Sequence, residues 1–525
     1  MKTKSTLLLA VVLAMFQNIH AQQHQFQKFY GDNGTEYCYS VQQTTDGGFI
    51  VAGETDSYGA GNYDAYLIKT NSIGVIAWAK TYGDTAWNWA NSVQQTTDGG
   101  YIVTGGTEYS GNGQGDIWIF KTDASGVIQW QKTSGGSGYD SGYDVRQTSD
   151  GGYIACGYQY GDASSGDNAC LVRLDVNGMV LWTKTYSLGI SDEYAYTVEQ
   201  TSDGGFILGG EAYNNPGDAG LIIKTDASGT VQWAKTYGGS SDYWVSRIMP
   251  AGNGDYFVAG VASQPSYINI WLARLDNSGT QVWSNTYAGP GGLEDNCIWA
   301  TRTSDGGFAM CGATNSFTTD YESFLLKTDS TGGPEWSKRY GGNGNDNSSQ
   351  VIQTSDGGYI LSSNTLSFGT AASAYLIKTY SNGGTGCNEN LPAFIISTVT
   401  TQVSVVTATT LSHTNSTTPV IGYAAASVTE NILCLTVGDN EINSDDNEII
   451  IYPNPAGSEF RIHPDASGRI ESVEIYDVFG KRVYSVPQTT NHKSQTIYIS
   501  SLAKGIYFVR VRTEQGEVVR KLVKE

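Results

Sequence analysis

Histidine is scarce in this chain, and its placement excludes more than its number does. The five are His20, His24, His413, His463 and His492, so none falls between residues 25 and 412. No Ser-His-Asp or Cys-His arrangement can be assembled there, and the chain has no His-x-x-x-His pair for zinc. Basic residues are few as well: 30 Lys and Arg stand against 51 Asp and Glu, a formal charge of −21. That sign argues against nucleic acid or an anionic membrane surface as a partner. Arginine between 25 and 385 is thin and scattered, at Arg146, Arg173, Arg247, Arg274, Arg302 and Arg339. No stretch there repeats apolar residues at helical spacing, and after the first 21 residues no apolar run approaches the length of a membrane span.

Glycine is abundant, with 65 residues, and its placement is periodic. Asp-Gly-Gly turns occur at Asp46, Asp98, Asp150, Asp203, Asp305 and Asp356, and Asn253-Gly254-Asp255 fills the single gap. Each is followed by an aromatic-led apolar run, then Lys-Thr-Asp-x-x-Gly or a variant, then Trp-x-Lys-x-Tyr-Gly, at a period of roughly 52 residues. In the second copy, 91–96 and 101–105 flank a Thr-Asp-Gly-Gly turn and read as a hairpin. Residues 117–121 are apolar on both faces and are expected to be buried between layers, and 127–132 form a fourth strand. Four antiparallel strands in about fifty residues, seven times over, predict an all-β, seven-bladed β-propeller over residues 22–385.

Six units end in a tryptophan, at Trp78, Trp130, Trp182, Trp233, Trp283 and Trp336, but the seventh stops at Thr379 without one. The missing strand lies at the other end. Residues 26–31, Phe-Gln-Lys-Phe-Tyr-Gly, imitate the Trp-x-Lys-x-Tyr-Gly motif one period before Trp78. They are expected to complete the seventh unit and remove an open edge. Before them, 1–21 reads as a secretory signal, with Lys2 and Lys4, an apolar core from 7 to 16, and cleavage between Ala21 and Gln22.

After the repeats, 386–437 is rich in Thr, Ser and Val and reads as a small β linker module. An acidic linker follows at 438–448. From 449 to 525, short strands near 460–463, 470–476, 481–486, 496–499 and 506–512 predict a C-terminal Ig-like β-sandwich. Its motifs are Ile451-Tyr452-Pro453-Asn454-Pro455-Ala456, then Val473-Glu474-Ile475-Tyr476-Asp477-Val478-Phe479-Gly480-Lys481, then Leu502-Ala503-Lys504-Gly505-Ile506-Tyr507, closing on Lys521-Leu522-Val523-Lys524. In this order and place they resemble the C-terminal sorting domain (type A) of the type IX secretion system of Bacteroidota. That resemblance implies export across the inner membrane on the signal and across the outer membrane by the type IX machinery, with surface attachment or release. The repeats resemble those of secreted bacterial propellers of the delta-60 type.

Seven cysteines in an oxidising destination leave one odd. Cys387 and Cys434 bracket the linker module and are the leading disulfide candidates. Such a closure contributes on the order of 4 kcal/mol in the chain-entropy estimate. Cys156 and Cys170, on consecutive strands, are a second candidate pair, and Cys38 and Cys297 occupy equivalent core positions.

The short turns joining strands one to two and three to four barely vary between units, so the opposite face carries the variation. Its loops bear recurring acids and aromatics, from which the candidate ligand-binding residues are Tyr37, Trp87, Trp89, Tyr143, Asp144, Tyr194, Tyr243, Trp244, Asp295 and Trp299. Flat rings stack on sugar C–H faces and carboxylates accept hydroxyl hydrogen bonds, while Trp and Tyr also anchor protein partners. The alternative is that these rings pack between units and the acids cap turns. Oxygen-rich stretches at 32–36 and 343–347 make Ca2+ a candidate cofactor, without a full calcium-loop pattern. The expected function is a secreted or surface binding and adhesion module for polysaccharide or protein, without catalysis. A carboxylate-dependent glycan hydrolase or lyase on the variable face, or a scaffold that binds nothing, are the other readings.

Overall fold

The computed structural model describes residues 24–437, with breaks at 112, 162–165, 190–191, 214–216, 239–240, 265–266, 388, 392–393, 399–400, 407, 414–415, 418–421 and 427. It also describes 450–524, with breaks at 453–456, 464–469, 478–480, 487–494 and 514–515. The signal segment with its Ala21/Gln22 cleavage point and the acidic linker 438–448 lie outside the described residues. The chain divides into two compact units, Met1–Val437 and Gly438–Glu525.

In the first unit the repeats form seven five-stranded antiparallel sheets, a propeller-like array without helices among the described residues. The first repeat contributes Glu36–Gln43, Phe49–Thr55, Asp64–Thr70 and Ile76–Gly83. The seventh contributes Asp346–Gln353, Tyr359–Thr365 and Ser373–Thr379, and its fourth strand is the N-terminal His24–Tyr30. Phe26 lies opposite Lys378 and Tyr30 opposite Ala374. Each sheet touches the next, and the seventh touches the first through its strands at 346–353 and 359–365.

The cores lie between sheets rather than within them. Ile50, Leu67 and Tyr82 of the first repeat pack with Val93, Val103 and Phe120 of the second. Phe26, Ile360 and Leu376 of the seventh pack with Val41, Phe49 and Ile68 of the first. The same arrangement recurs at each of the other five interfaces. Second and third strands are therefore buried on both faces, which is why they read as continuous apolar runs.

Repeated motif residues make the joints. The tyrosine of Trp-x-Lys-x-Tyr donates its hydroxyl to the glycine carbonyl of the Asp-x-x-Gly turn in the following unit. The pairs are Tyr82 to Gly126, Tyr186 to Gly229, Tyr237 to Gly279, Tyr287 to Gly332 and Tyr340 to Gly383, and Tyr30 to Gly74 across the ring closure, all at 2.6–2.9 Å. Only glycine fits there: Gly126 has φ +77°, and a Cβ on it would strike the Tyr82 hydroxyl and the Trp78 ring. The joint between the second and third units differs, because the second unit has Ser134 where the others have tyrosine.

A second repeated pair ties each hairpin turn to its own sheet. The third-strand cation, buried in every unit but the fifth, reaches the turn aspartate in all seven, as Lys69–Asp46, Lys121–Asp98, Arg173–Asp150, Lys224–Asp203, Arg274–Asp255, Lys327–Asp305 and Lys378–Asp356. A buried cation needs such a partner. In the fifth unit the acid has moved two positions, from Asn253 to Asp255, and the longer Arg274 follows it with two nitrogens at 2.6 and 3.0 Å.

The stretch 386–437, expected as a linker module, supplies the fifth strand of every sheet. Its strands pair with the outermost repeat strand of each sheet in turn, and the last, Glu430–Val437, pairs with His24–Tyr30. Cys387 and Cys434 form a disulfide with Cα atoms 6.4 Å apart. Cys156 and Cys170 do not pair. Cys156 stands opposite Leu171 and Cys170 opposite Gly157, so a one-residue offset sends their side chains to opposite faces of the sheet. Each is buried in a different inter-sheet core.

The second unit consists of a three-stranded sheet (Ile450–Tyr452, Glu459–His463, Gln495–Tyr498) and a four-stranded one (Ile470–Asp477, Arg482–Val486, Gly505–Thr513, Gly516–Lys524). They enclose one core of Phe460, Ile462, Ile475, Ile497, Val509, Val511 and Leu522.

Replacing Tyr237 by Phe leaves the buried Gly279 carbonyl without its donor, and is expected to lower stability by about 1–2 kcal/mol in urea unfolding. Tyr109→Phe, at an exposed loop position, is the control expected to leave the midpoint unmoved.

Candidate functional site

First strands contact the first strands of both neighbouring units and so form the innermost layer. Each contains a one-residue bulge, at Tyr39, Asn91, Tyr143, Tyr196, Ser246, Ile298 and Ser349. The bulge needs a close approach from the second strand. A Cβ at Gly53, Gly105 or Gly210 would fall on the carbonyl of Tyr37, Trp89 or Tyr194. The bulge redirects the residues on either side of it, and in four units these are large aromatics or lie next to them.

Together with the loops they form an aromatic arc over the first four units. Tyr37 stacks on Tyr39 at 6.2 Å, and Tyr63 on Trp87 at 5.2 Å. Trp87 meets Trp89 edge-on at 6.1 Å, and Trp89 lies nearly parallel to Tyr139 of the third unit at 6.0 Å. Beyond that, Tyr143 packs against Tyr158 and Tyr196, and Tyr194 against Tyr158, Tyr196 and Tyr213, at 4.8–6.2 Å. Trp87 and Tyr213 are the most open of these rings, 39% and 40% exposed.

Carboxylates orient the rings. Glu54 accepts from the Tyr39 hydroxyl and from Trp87 Nε1, both at 2.7 Å. Asp167 accepts from the Tyr194 hydroxyl at 2.9 Å, and Glu211 from the Tyr196 hydroxyl. Burial pushes the carboxyls of Glu54, Asp167 and Glu211 above their ordinary range, against the pull of those hydrogen bonds. Asp140 is pushed furthest, to about 7, by burial first and then by Asp116 and Asp167, against backbone N–H donors from Gly136 and Tyr160. The opposite face reverses this. Asp305 falls to about 2 because Lys327, Thr303 and the Gly307 N–H all donate to it. Asp203 also falls to about 2, where Thr201, Lys224 and the Gly205 N–H outweigh partial burial.

Of the sequence candidates, the structure gathers Tyr37, Trp87, Trp89, Tyr143 and Tyr194 into the arc. Asp144 and Trp299 belong to a different group. Asp144 lies 3.2 Å from Arg146 and 3.8 Å from Arg247, Glu199 pairs with both arginines, and the guanidinium groups cover the Trp299 ring at 5.7 and 4.6 Å. This is a closed, charge-balanced network of innermost strands. Tyr243 is buried edge-on against Trp271, a packing role. Asp295 is buried and accepts from the Gly289 N–H, Thr314 and Ser316, which makes it a loop cap. Trp244 is half-buried and makes none of the ring contacts that link the arc. Tyr39, Tyr63, Tyr139, Tyr158, Tyr196 and Tyr213 are arc members that sequence reasoning passed over. For Tyr39 and Tyr196, on first strands, the glycine opposite marks the bulge, but Gly260 and Gly312 do the same in units without arc rings, so the signal finds the bulge and not the site.

At 32–36, Glu36 turns its oxygens to the Asp32 N–H and the Thr55 hydroxyl. At 343–347, Asp346 turns one to the Gly342 N–H and Ser367. Among the described residues no group of three or more His, Cys, Asp or Glu is arranged to hold a metal ion.

Residues 450–525 match the family of secretion system C-terminal sorting domains. The chain therefore carries a type IX sorting domain and is secreted to the cell surface or the extracellular space. No curated protein sequence matches the chain. Among solved structures, Sqt1 of Chaetomium thermophilum bound to the N-terminus of ribosomal protein L10 aligns over 66% of this chain and 98% of its own, at 8% identity and a TM-score of 0.40. PorZ of Porphyromonas gingivalis, a surface component of the type-IX secretion system, aligns over 95% of this chain and all of its own, at 9% identity and a TM-score of 0.21.

The two faces predict opposite pH signatures. Asp305 has a folded pKa below its unfolded value of about 3.9, so its contribution is complete above about pH 4 and lost as pH falls toward 2. Asp140 has a folded pKa above that value, so its contribution is complete below about pH 4 and lost as pH rises through 7. In urea unfolding across pH, Asp305→Asn is expected to flatten the profile between pH 4 and 2, and Asp140→Asn between pH 4 and 7. Unchanged slopes would contradict the assignment.

Proposed function

We propose that this protein is a secreted, closed seven-bladed propeller of the delta-60 type. It is carried out by its Ig-like type IX sorting domain and acts as a non-catalytic module that binds polysaccharide through the aromatic arc. The observation that carries this reading is the pre-positioning of the rings. Buried Glu54 and Glu211 and half-buried Asp167 hold the tyrosine hydroxyls and the Trp87 N–H, which fixes the ring orientations before any ligand arrives. Rigid rings at fixed spacing suit stacking on sugar C–H faces and lose little side-chain freedom when a ligand arrives.

Carboxylates used in this way favour binding over hydrolysis. Glycoside cleavage needs one carboxyl free to give a proton and a second free to attack or activate water. The most elevated acid, Asp140, is fully buried and directs its oxygens at the backbone of Gly136 and Tyr160, the work of a turn cap.

A glycan array probed with the full mature chain is expected to show binding. Trp87→Ala and Tyr213→Ala should each weaken it by about tenfold or more, in line with base-rate losses on removing an anchor ring. Trp336→Phe, at an inter-sheet joint, should leave affinity unchanged. Retained binding in both arc variants would move the site elsewhere, and release of reducing ends from a polysaccharide panel would restore the hydrolase or lyase reading.

A further inference from the structure

Between Cys387 and Cys434 the chain visits every sheet of the ring once, in reverse order. Glu389–Asn390 pairs with the sixth, Ile395–Thr398 with the fifth, Gln402–Val406 with the fourth and Thr409–His413 with the third. Ser416–Thr417 then pairs with the second, Gly422–Ala425 with the first and Glu430–Val437 with the seventh. The disulfide joins the two ends of this path. It therefore turns a strap into a hoop that encloses all seven sheets.

Both ends of the strap meet at the ring closure. His24–Tyr30 lies between Ser373–Thr379 and Glu430–Val437, with Gln27 opposite Cys434. The Gln27 side-chain amide donates to Thr385 Oγ1 at 2.7 Å and to the Cys387 carbonyl at 2.5 Å, and buried Lys28 pairs with Glu430 at 2.6 Å. The strap's first end is continuous with the ring. Its other end runs on from Val437 toward the sorting domain, so any pull on that domain arrives at the strand covering the closing strand. Held by edge pairing alone, a strap with a loaded end can peel one short strand at a time, since two of its strands are only two residues long.

We propose that the Cys387–Cys434 bond is an oxidation-dependent lock against this peeling. Load entering through the sorting domain passes from Cys434 directly to Cys387 and into the ring, and the belt between them stays seated. The bond forms by thiol–disulfide exchange with a disulfide-bearing oxidant. One cysteine thiolate attacks the oxidant's S–S bond and releases one thiol; the second cysteine attacks the mixed disulfide and releases the other, so one disulfide forms for each one broken. A compartment that supplies such an oxidant lies on the route of an exported chain.

Hydrogen exchange on the full mature chain tests this in three states: oxidised, reduced, and oxidised but cut at a site-specific protease sequence inserted after Ala408. The other five cysteines are free and buried, so reduction alters this bond alone. Reduction is expected to speed exchange by about tenfold or more in Glu430–Val437 and His24–Tyr30, with a declining effect through Gly422–Ala425 and onward along the belt. Cutting after Ala408 should move the fastest exchange to Gln402–Val406 and Thr409–His413 and leave Glu430–Val437 protected. The Cys387→Ser/Cys434→Ser variant should reproduce the reduced pattern, and if it does not fold, the reduced wild-type chain carries the test. An effect confined to Glu430–Val437, no effect of reduction, or no effect of the cut would overturn the proposal. Glycan binding is not the readout, so failure here is distinct from failure of the ligand reading.

Discussion

No sheet of the ring owns a core. The apolar side chains in the middle of the second and third strands are buried against the sheet before or the sheet after, so each four-stranded repeat is stable only between two others. An open row of such repeats would leave two apolar faces bare, and closure is the arrangement that leaves none. The Tyr-to-Gly joints, the Trp rings beneath the turns and the borrowed N-terminal strand all follow from that requirement. It also explains why joint residues recur at one per unit while loop residues do not.

The two faces differ in chemistry because they differ in burial. On the constant face, the turn acids are largely exposed and meet buried cations and backbone N–H groups, so they stay ionised. On the variable face, burial raises Glu54 and Glu211, the acids that hold the arc rings from behind, while Asp84, against its partial burial, is lowered by the Ser110 hydroxyl and the Ala86 N–H, and Asp32 and Asp56 are exposed. The acids that fix the rings and the acids that face water are therefore different residues.

Much of the ring was legible in the sequence because its determinants are local and repeated. An Asp-Gly-Gly turn or a Trp-x-Lys-x-Tyr motif carries its conformation and its partner at a fixed spacing, and the imitation of that motif at 26–31 marked the closing strand. The belt was not legible. Its strands are two to eight residues long, lack a repeated motif and pair with strands up to about four hundred residues away, so composition gave only β character. The site was legible in part. Tyr37, Trp87, Trp89, Tyr143 and Tyr194 stand in loops or bulged strands that vary, but the same rule also selected Tyr243, buried against Trp271, and Asp295, buried as a loop cap. Residue type and loop position do not reveal which side of a bulge a side chain takes, and the glycine opposite marks only where the bulge is, since Gly260 and Gly312 approach units that add no ring to the arc.

The joint between the second and third units, where Ser134 replaces tyrosine, gives the ring a seam. Six interfaces are latched on the constant side, and this one is not. Across the same interface, on the other side, Trp89 stacks on Tyr139. The seam is held by the apolar core the two sheets share, by hydrogen bonds from Ser92 to Asp144 and from the Gln147 N–H to Gln94, and on the variable side by this ring pair. Repetition in the sequence therefore does not make every joint equal: one interface closes without the turn-side hydroxyl and leans on its other contacts.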